Sequence, residues 1–369
     1  MSNKACIILY VLINALFVDK YGARITDWHI VISAAYCLLA GIGTLYLPKI
    51  AQKTNHRYAL IICGGLYLAM GIGLQYAIDP MSLQVDRWSA IHHFLDGMLS
   101  GIYPYGQQTH LGGYGSPLPV WQVLHLPFYA IGNVGLSIFA AIAAFIYTLH
   151  RTRGEKVAWT ALLLLVASPA CWYEITVRSD LITNIILAAT IAEWLVYKGV
   201  RLKEHYIGIG ILCGLLVSTR LIAIIPLAVA YGYEFIQLQW RKQLGFVGVM
   251  ICTFALTILP FVFWKGSTLL FFEYNPFVLQ TRQGSLLALI LFAVVAVSTT
   301  LYYKSSEQVR LPLTGWLLTS LVVIAFVEKM WRENIWTELY SSAFDITYLS
   351  VALPFYIVCL ATSCGESDS

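Results

Sequence analysis

Residues 244–264 read LGFVGVMICTFALTILPFVFW, a stretch without one charged side chain. At a rise of about 1.5 Å per residue it makes a helix of roughly 30 Å, the thickness of a bilayer's hydrocarbon core. A helix on the surface of a soluble protein carries a charged face toward water, and this one has none. Arg241 and Lys242 precede the stretch and Lys265 follows it, so only its ends are fit for a polar medium.

The same character runs through the chain. Hydrophobic residues make up 59% and charged residues 11%, with a mean hydropathy of +0.72. A soluble domain has about 25% charged and about 45–50% apolar residues. Further apolar runs lie at 5–18, 28–47, 58–78, 117–150, 157–173, 181–197, 206–236, 285–303, 311–327 and 346–362. The reading is therefore all-α, with residues 1–369 forming a single polytopic transmembrane domain. Two runs need division. Pro117, Pro119, Pro127 and Gly132 break the first half of 117–150, which reads as a bent or re-entrant piece before one crossing. The 206–236 run reads as two short crossings meeting near Arg220, with Pro226 just beyond. Twelve crossings result.

The formal charge of +4 is too small to suggest a nucleic-acid partner. The eight cysteines fall in or beside apolar runs without a C-x-x-C pair, so free, buried thiols are expected. The run at 5–18 reads as a retained span rather than a signal peptide, because Asp19-Lys20 follows it and no small-residue cleavage site does. Cytoplasmic loops are enriched in Lys and Arg. With both termini and segments 48–57, 151–156, 198–204, 237–243 and 304–310 placed inside, fourteen of the 23 cations fall there. The outer pieces are then 79–116, 174–180, 265–284 and 328–345.

The longest of these, 79–116, is the main outer loop. Within it, Trp88, Ile91, Leu95, Met98 and Leu99 recur at helical spacing, opposite a face bearing Arg87, His93 and Asp96. An amphipathic helix over 86–99, lying along the outer membrane surface, is the expectation. Asp86 begins it, either as a dipole-complementing acid or as a functional one. The loop continues through Gly101-Ile102-Tyr103-Pro104-Tyr105 to Ser116-Pro117-Leu118-Pro119, a helix start whose free N–H groups suit an anion. His92, His93 and His110 lack metal-ligand spacing with nearby acids, so neither a metal nor another cofactor is expected.

The order of a span, an acidic residue at its exit, an amphipathic stretch ending G-x-x-P-Y, and S-P-L-P opening the next run resembles the first large outer loop of the GT-C glycosyltransferases. Arg178-Ser179-Asp180 opening a span, and Ser218-Thr219-Arg220 followed by Pro226, fit in register. The resemblance covers roughly residues 80 to 285. Two spans precede the one leading into the acidic loop, and the loop lacks a D-x-D or tandem Asp-Glu.

The resemblance implies a multi-pass enzyme, in a bacterial inner (plasma) membrane, moving a sugar from a polyprenyl-phosphate carrier to a hydroxyl of a glycan or lipid acceptor on the outer face. A hydroxyl is a weak nucleophile and needs a base, for which Asp86 matches the family's position and Asp180 is the rival. Asp96 is a third acid, able to bind acceptor. The leaving phosphate needs a cation, for which Arg220 is first and Arg178, Lys265 and Arg282 follow. Tyr105 and Ser116 complete the expected binding residues. The alternative is a transporter or flippase of lipid-linked saccharides. That function calls for ionisable groups near mid-bilayer, whereas Glu193 and Glu234 lie toward the cytoplasmic ends.

Overall fold

The computed structural model describes residues 3–53, 56–304, 307–333 and 345–365. Most of the expected outer piece 328–345, namely 334–344, lies outside the described residues, as do 305–306 of segment 304–310 and the last four residues of the tail. Among the described residues the architecture is helical throughout, with one isolated bridge between Gln108 and Tyr114.

Helices α1 (Asn3–Gly22), α2 (His29–Lys53) and α3 (His56–Ala77) come first, then the shorter α4 (Arg87–Leu99). The 117–150 run divides where its prolines stand. Pro119 opens α5 (Pro119–Leu124) and Pro127 lies in the first turn of α6 (Leu126–Ala130). A 3-10 turn then leads into α7 (Ser137–Arg153), with Asn133 capping the turn by accepting from the Gly135 N–H. A proline lacks the N–H that a helix interior uses, but it loses nothing in a first turn.

Run 157–173 is not one straight span. It divides into α8 (Glu155–Val166) and α9 (Pro169–Thr176), which meet at 70°. The Ser168 hydroxyl accepts from the Cys171 N–H, and Pro169 stands at the first helical position, so the sequence restarts a helix there. Next come α10 (Asp180–Tyr197) and α11 (Leu202–Val217). The chain at Arg220 is extended (φ −150°, ψ 144°), and a 3-10 turn leads into α12 (Ile225–Gln237). The long α13 (Trp240–Val262), the short α14 (Pro276–Thr281), α15 (Leu286–Tyr303), α16 (Glu307–Glu333) and α17 (Leu353–Gly365) complete the order.

Eight of the described helices are long and apolar enough to cross a membrane: α1, α2, α3, α7 taken with the 3-10 turn before it (Val134–Arg153), α10, α13, α15 and α16. The bent α8–α9 pair passes the same test only when taken together, while α12 and α17 are apolar but shorter. The centre of the bundle is the cluster around Tyr10, Phe145, Leu165, Ile185 and Tyr356, contributed by α1, α7, α8, α10 and α17. In the most apolar eighteen residues of α2 and of α15 only 6% are buried, and in those of α13 only 11%. Those three helices present bare apolar surface to their surroundings, as lipid-facing helices do. Where α13 does pack, it meets α11 closely. A Cβ at Gly214 would stand 2.6 Å from the Met250 carbonyl oxygen, and one at Gly210 would stand 3.0 Å from that of Phe246. Small residues four apart let two backbones approach in this way.

Candidate functional site

Helix α4 forms as the spacing predicts. Ile91, Phe94 and Leu95 are buried, Trp88 and Met98 are half-buried, and Leu99 is exposed. Phe94 thus replaces Leu99 in the packed stripe, since 91, 94, 95 and 98 share one face. Against this face sit Tyr105 and Phe261, with ring centroids 4.8 and 5.6 Å from that of Phe94. Tyr105 is itself buried, and its hydroxyl donates to the Pro117 carbonyl at 3.2 Å. It therefore ties the loop to the S-P-L-P segment.

That segment docks onto the break after α11. The Leu118 and Val120 N–H groups donate to the Thr219 and Ser218 carbonyls at 3.1 and 3.0 Å. Gln280, on α14, donates to the Ser116 carbonyl at 2.7 Å and accepts from the Leu221 N–H at 2.9 Å. Three distant pieces of chain, at 116–120, 218–221 and 280, are thereby fastened around Arg220.

Arg220 is buried, as is Asp180, and they form an ion pair. The Arg220 Nε donates to Asp180 Oδ2 at 3.0 Å, and Nη2 donates to the same oxygen. The Trp121 indole N–H donates to it as well, at 3.0 Å. The Nη1 group faces Ser116 Oγ at 3.5 Å, the outer limit of a hydrogen bond. Beside it lies a cavity of about 160 Å³, with Ser116, Arg220, Gln280 and Tyr348 among its polar lining. Leu181, Leu221, Leu279, Leu289, Leu321 and Val351 are among its apolar walls. Asp180 Oδ1 and both amide atoms of Asn184, one turn along α10, are buried without a partner among the described residues. Such atoms usually hold water or a bound polar group.

Sequence reasoning missed a second ion cluster next to this one. Arg87 donates from Nη1 to Glu174 Oε2 at 3.3 Å and to Ser179 Oγ at 2.5 Å, and from Nη2 to Asp345 Oδ2 at 3.1 Å. Its guanidinium also lies 5.9 Å from the Tyr348 ring centroid. Burial opposes the charge of Arg87, but the Glu174 and Asp345 carboxylates more than offset that, and its pKa is raised. Glu174 is fully buried and takes a further bond from the Ser350 hydroxyl at 3.1 Å. Since Ser179 also caps α10 by accepting from the Leu181 N–H, the two clusters share one helix start. The signal available beforehand was the acid at 174, four residues before Arg178. Gln280 gave no signal at all.

Most of the remaining candidates have other immediate partners. Asp86 is half-buried at the start of α4, and its carboxylate makes no helix-capping bond. Instead Oδ2 accepts from the Thr109 hydroxyl at 2.7 Å, and a Cβ at Gly113 would stand 3.0 Å from the same oxygen. Asp96 accepts from the Tyr129 hydroxyl and lies 3.5 Å from His92 Nε2. His93 bonds the Gln108 carbonyl, and His110 bonds Ser89 and the Leu83 carbonyl, so both hold the loop together. Arg178, buried with a positive φ of 54°, donates to the Gln75 and Ile78 carbonyls at the end of α3. It stands there as a cap on orphan carbonyls. Lys265 and Arg282 are exposed. The structure thus brings together Asp180, Arg220 and Ser116, and gives Asp86, Asp96, Arg178 and Tyr105 other immediate partners. No family model, curated protein or solved structure matches the chain.

Proposed function

We propose that the protein is a GT-C-like membrane glycosyltransferase of about twelve crossings. It moves a sugar from a polyprenyl-phosphate carrier to a hydroxyl of a glycan or lipid acceptor, on the outer face of a bacterial inner membrane. The observation that carries this reading is the cavity beside Arg220. Its walls are largely apolar, and its polar lining includes the Arg220 guanidinium, the Ser116 hydroxyl and the Gln280 amide, which meet around Ser116. That combination suits an amphiphile whose polar end is an anion. Asp180 occupies the Nε edge of the guanidinium and leaves the Nη1 donors toward the cavity. The carboxylate fixes the orientation of the fork, and the phosphate takes the donors that remain. At about 160 Å³ the cavity is below the about 300–1,000 Å³ usual for ligand sites. Donor entry therefore requires α14, which lines it through Leu279 and Gln280, to move aside.

The base in this reading is Asp86. Asp180 is a poor proton acceptor, because an arginine fork and an indole N–H already stabilise its charge. Asp96 has its oxygens engaged by Tyr129 and His92. Asp86 has one hydroxyl donor and is open to solvent in part. The transporter alternative draws less support. Glu193 is held by the Arg153 guanidinium at 2.5 and 3.0 Å, and Glu234 accepts from the Leu202 N–H at 2.9 Å, which are bracing contacts between helix ends. The test is incubation of the purified protein with a panel of radiolabelled polyprenyl-phosphate sugars and with glycan and lipid acceptors. Transfer of label from one donor is expected. Movement of intact labelled lipid across vesicles, with no transfer, would establish the transporter instead.

A further inference from the structure

A larger cavity, about 690 Å³, lies away from Arg220, between α3, α7 and α8. Leu60, Ile61, Gly64 and Gly65 of α3 form one side, with Ile142 and Ile146 of α7 opposite. The charged groups and the imidazole gather at one end, while Tyr67, whose hydroxyl is buried without a partner among the described residues, and Tyr147 line the groove farther along. Arg57 comes from the first turn of α3, His150 from the last turn of α7, and Glu155 from the first position of α8. The Nδ1 of His150 is buried without a partner among the described residues, while Arg57 and Glu155 are exposed. From Arg57 to Leu68, the lining of α3 spans about 16 Å at the helical rise, roughly half the hydrocarbon thickness of a bilayer.

We propose that this groove is a binding site for one phospholipid whose headgroup carries both a phosphate and a primary ammonium. Three observations select that occupant. Most of the wall belongs to α3 and α7, which are apolar enough to span a membrane, so an acyl chain is what reaches it. The groove is one leaflet long. Its rim offers a cation and an unsatisfied imidazole for a phosphate, and beside them a carboxylate for an ammonium. A purely anionic headgroup would leave Glu155 facing like charge. A quaternary headgroup would bring it a cation with no N–H to donate. The glycines at 64 and 65 give the chain its room. A Cβ at Gly65 would meet nothing within 4 Å, so the space there is open.

The inference is independent of the glycosyltransferase reading, and its test needs no activity. The full chain is reconstituted into vesicles of equal phosphatidylethanolamine, phosphatidylglycerol and phosphatidylcholine, extracted, and its retained lipid weighed by native mass spectrometry. One phosphatidylethanolamine per chain is expected, enriched several-fold over the other two lipids. Glu155→Gln, at an exposed position, should still retain a phospholipid but lose the preference over phosphatidylcholine. Arg57→Gln should retain less of every lipid. Gly65→Leu starts from a Cβ in open space and narrows the groove, so it should keep wild-type thermal stability and retain less lipid. Equal retention of the three lipids by the wild type, or preference for phosphatidylglycerol, would overturn the proposal. So would a dimer that Gly65→Leu dissociates, since a second copy would then be the occupant.

Discussion

Arg220 and Asp180 lie forty positions apart in sequence and share one hydrogen-bonded oxygen in space. Removing one member of such a buried pair strands the other, at a cost of about 3–5 kcal/mol. Arg220→Ala is therefore expected to lower stability as well as turnover, which makes it a poor probe of phosphate binding. Arg220→Lys keeps the charge and loses the fork. It should fold, as judged by its melting temperature in detergent, and should recover only part of the turnover and donor affinity. Wild-type donor affinity in a folded Arg220→Lys would argue that the pair is purely structural. His92 provides a pH test at the same scale. Burial lowers its pKa from the usual 6.5, with Asp96 partly opposing, and its ring stacks on Trp88 at 4.4 Å. In the unfolded chain it takes a proton more readily than in the folded one. Its contribution to stability is thus complete above pH 6.5 and declines as pH falls through the window just below. Melting temperatures of wild type and His92→Gln between about pH 7.5 and 5.5 should differ in slope, the variant being flatter.

At the scale of elements, the sequence made the helices legible because a bilayer demands long apolar runs with their backbone bonds closed internally. Some interruptions were legible from their prolines, at Pro119, Pro127 and Pro226. The 70° bend between α8 and α9 was not, although Ser168-Pro169 is a helix start that reads locally in hindsight. Helix α4 was legible as a helix, but the role of Arg87 was not. Periodicity puts it on the polar face, and the partners that bury it, Glu174 and Asp345, come from far along the chain. For the same reason Ser116, Asp180 and Arg220 could be named singly but not as neighbours, and Gln280 could not be named at all. Arg87→Ala should free α4 from α9 and destabilise the protein by about 3–5 kcal/mol, since it leaves Glu174 buried without its cation. Adding Glu174→Gln should recover part of that loss. Thermal unfolding of the single and double variants checks both statements, and equal melting of wild type and Arg87→Ala would contradict the ion cluster's bracing role.

For the proposed chemistry to act on the outer face, the end of the bundle bearing α4 and the 265–284 loop must face away from the cytoplasm. Gly112 and Gly266 are both exposed at positive φ (77° and 80°), in open space, so single cysteines introduced there mark the loops with modest strain. They should react with an impermeant thiol reagent in sealed cells, and a cysteine at Thr152 should not. Reaction at Thr152 alone would invert the molecule and move the proposed chemistry inside. The proposed chemistry itself rests on two side chains. An outward carboxylate, Asp86, takes the acceptor's proton while Arg220 holds the leaving phosphate. Turnover of a labelled polyprenyl-phosphate sugar by Asp86→Asn, measured beside Asp180→Asn and wild type, tests it most directly. Asparagine keeps the size of the side chain and can still accept from Thr109, but it is no base. Asp86→Asn should lower turnover by ~10²–10⁴ with donor binding little changed, whereas Asp180→Asn should act through binding and stability. Near-wild-type turnover in Asp86→Asn, with a large loss in a folded Asp180→Asn, would contradict the account.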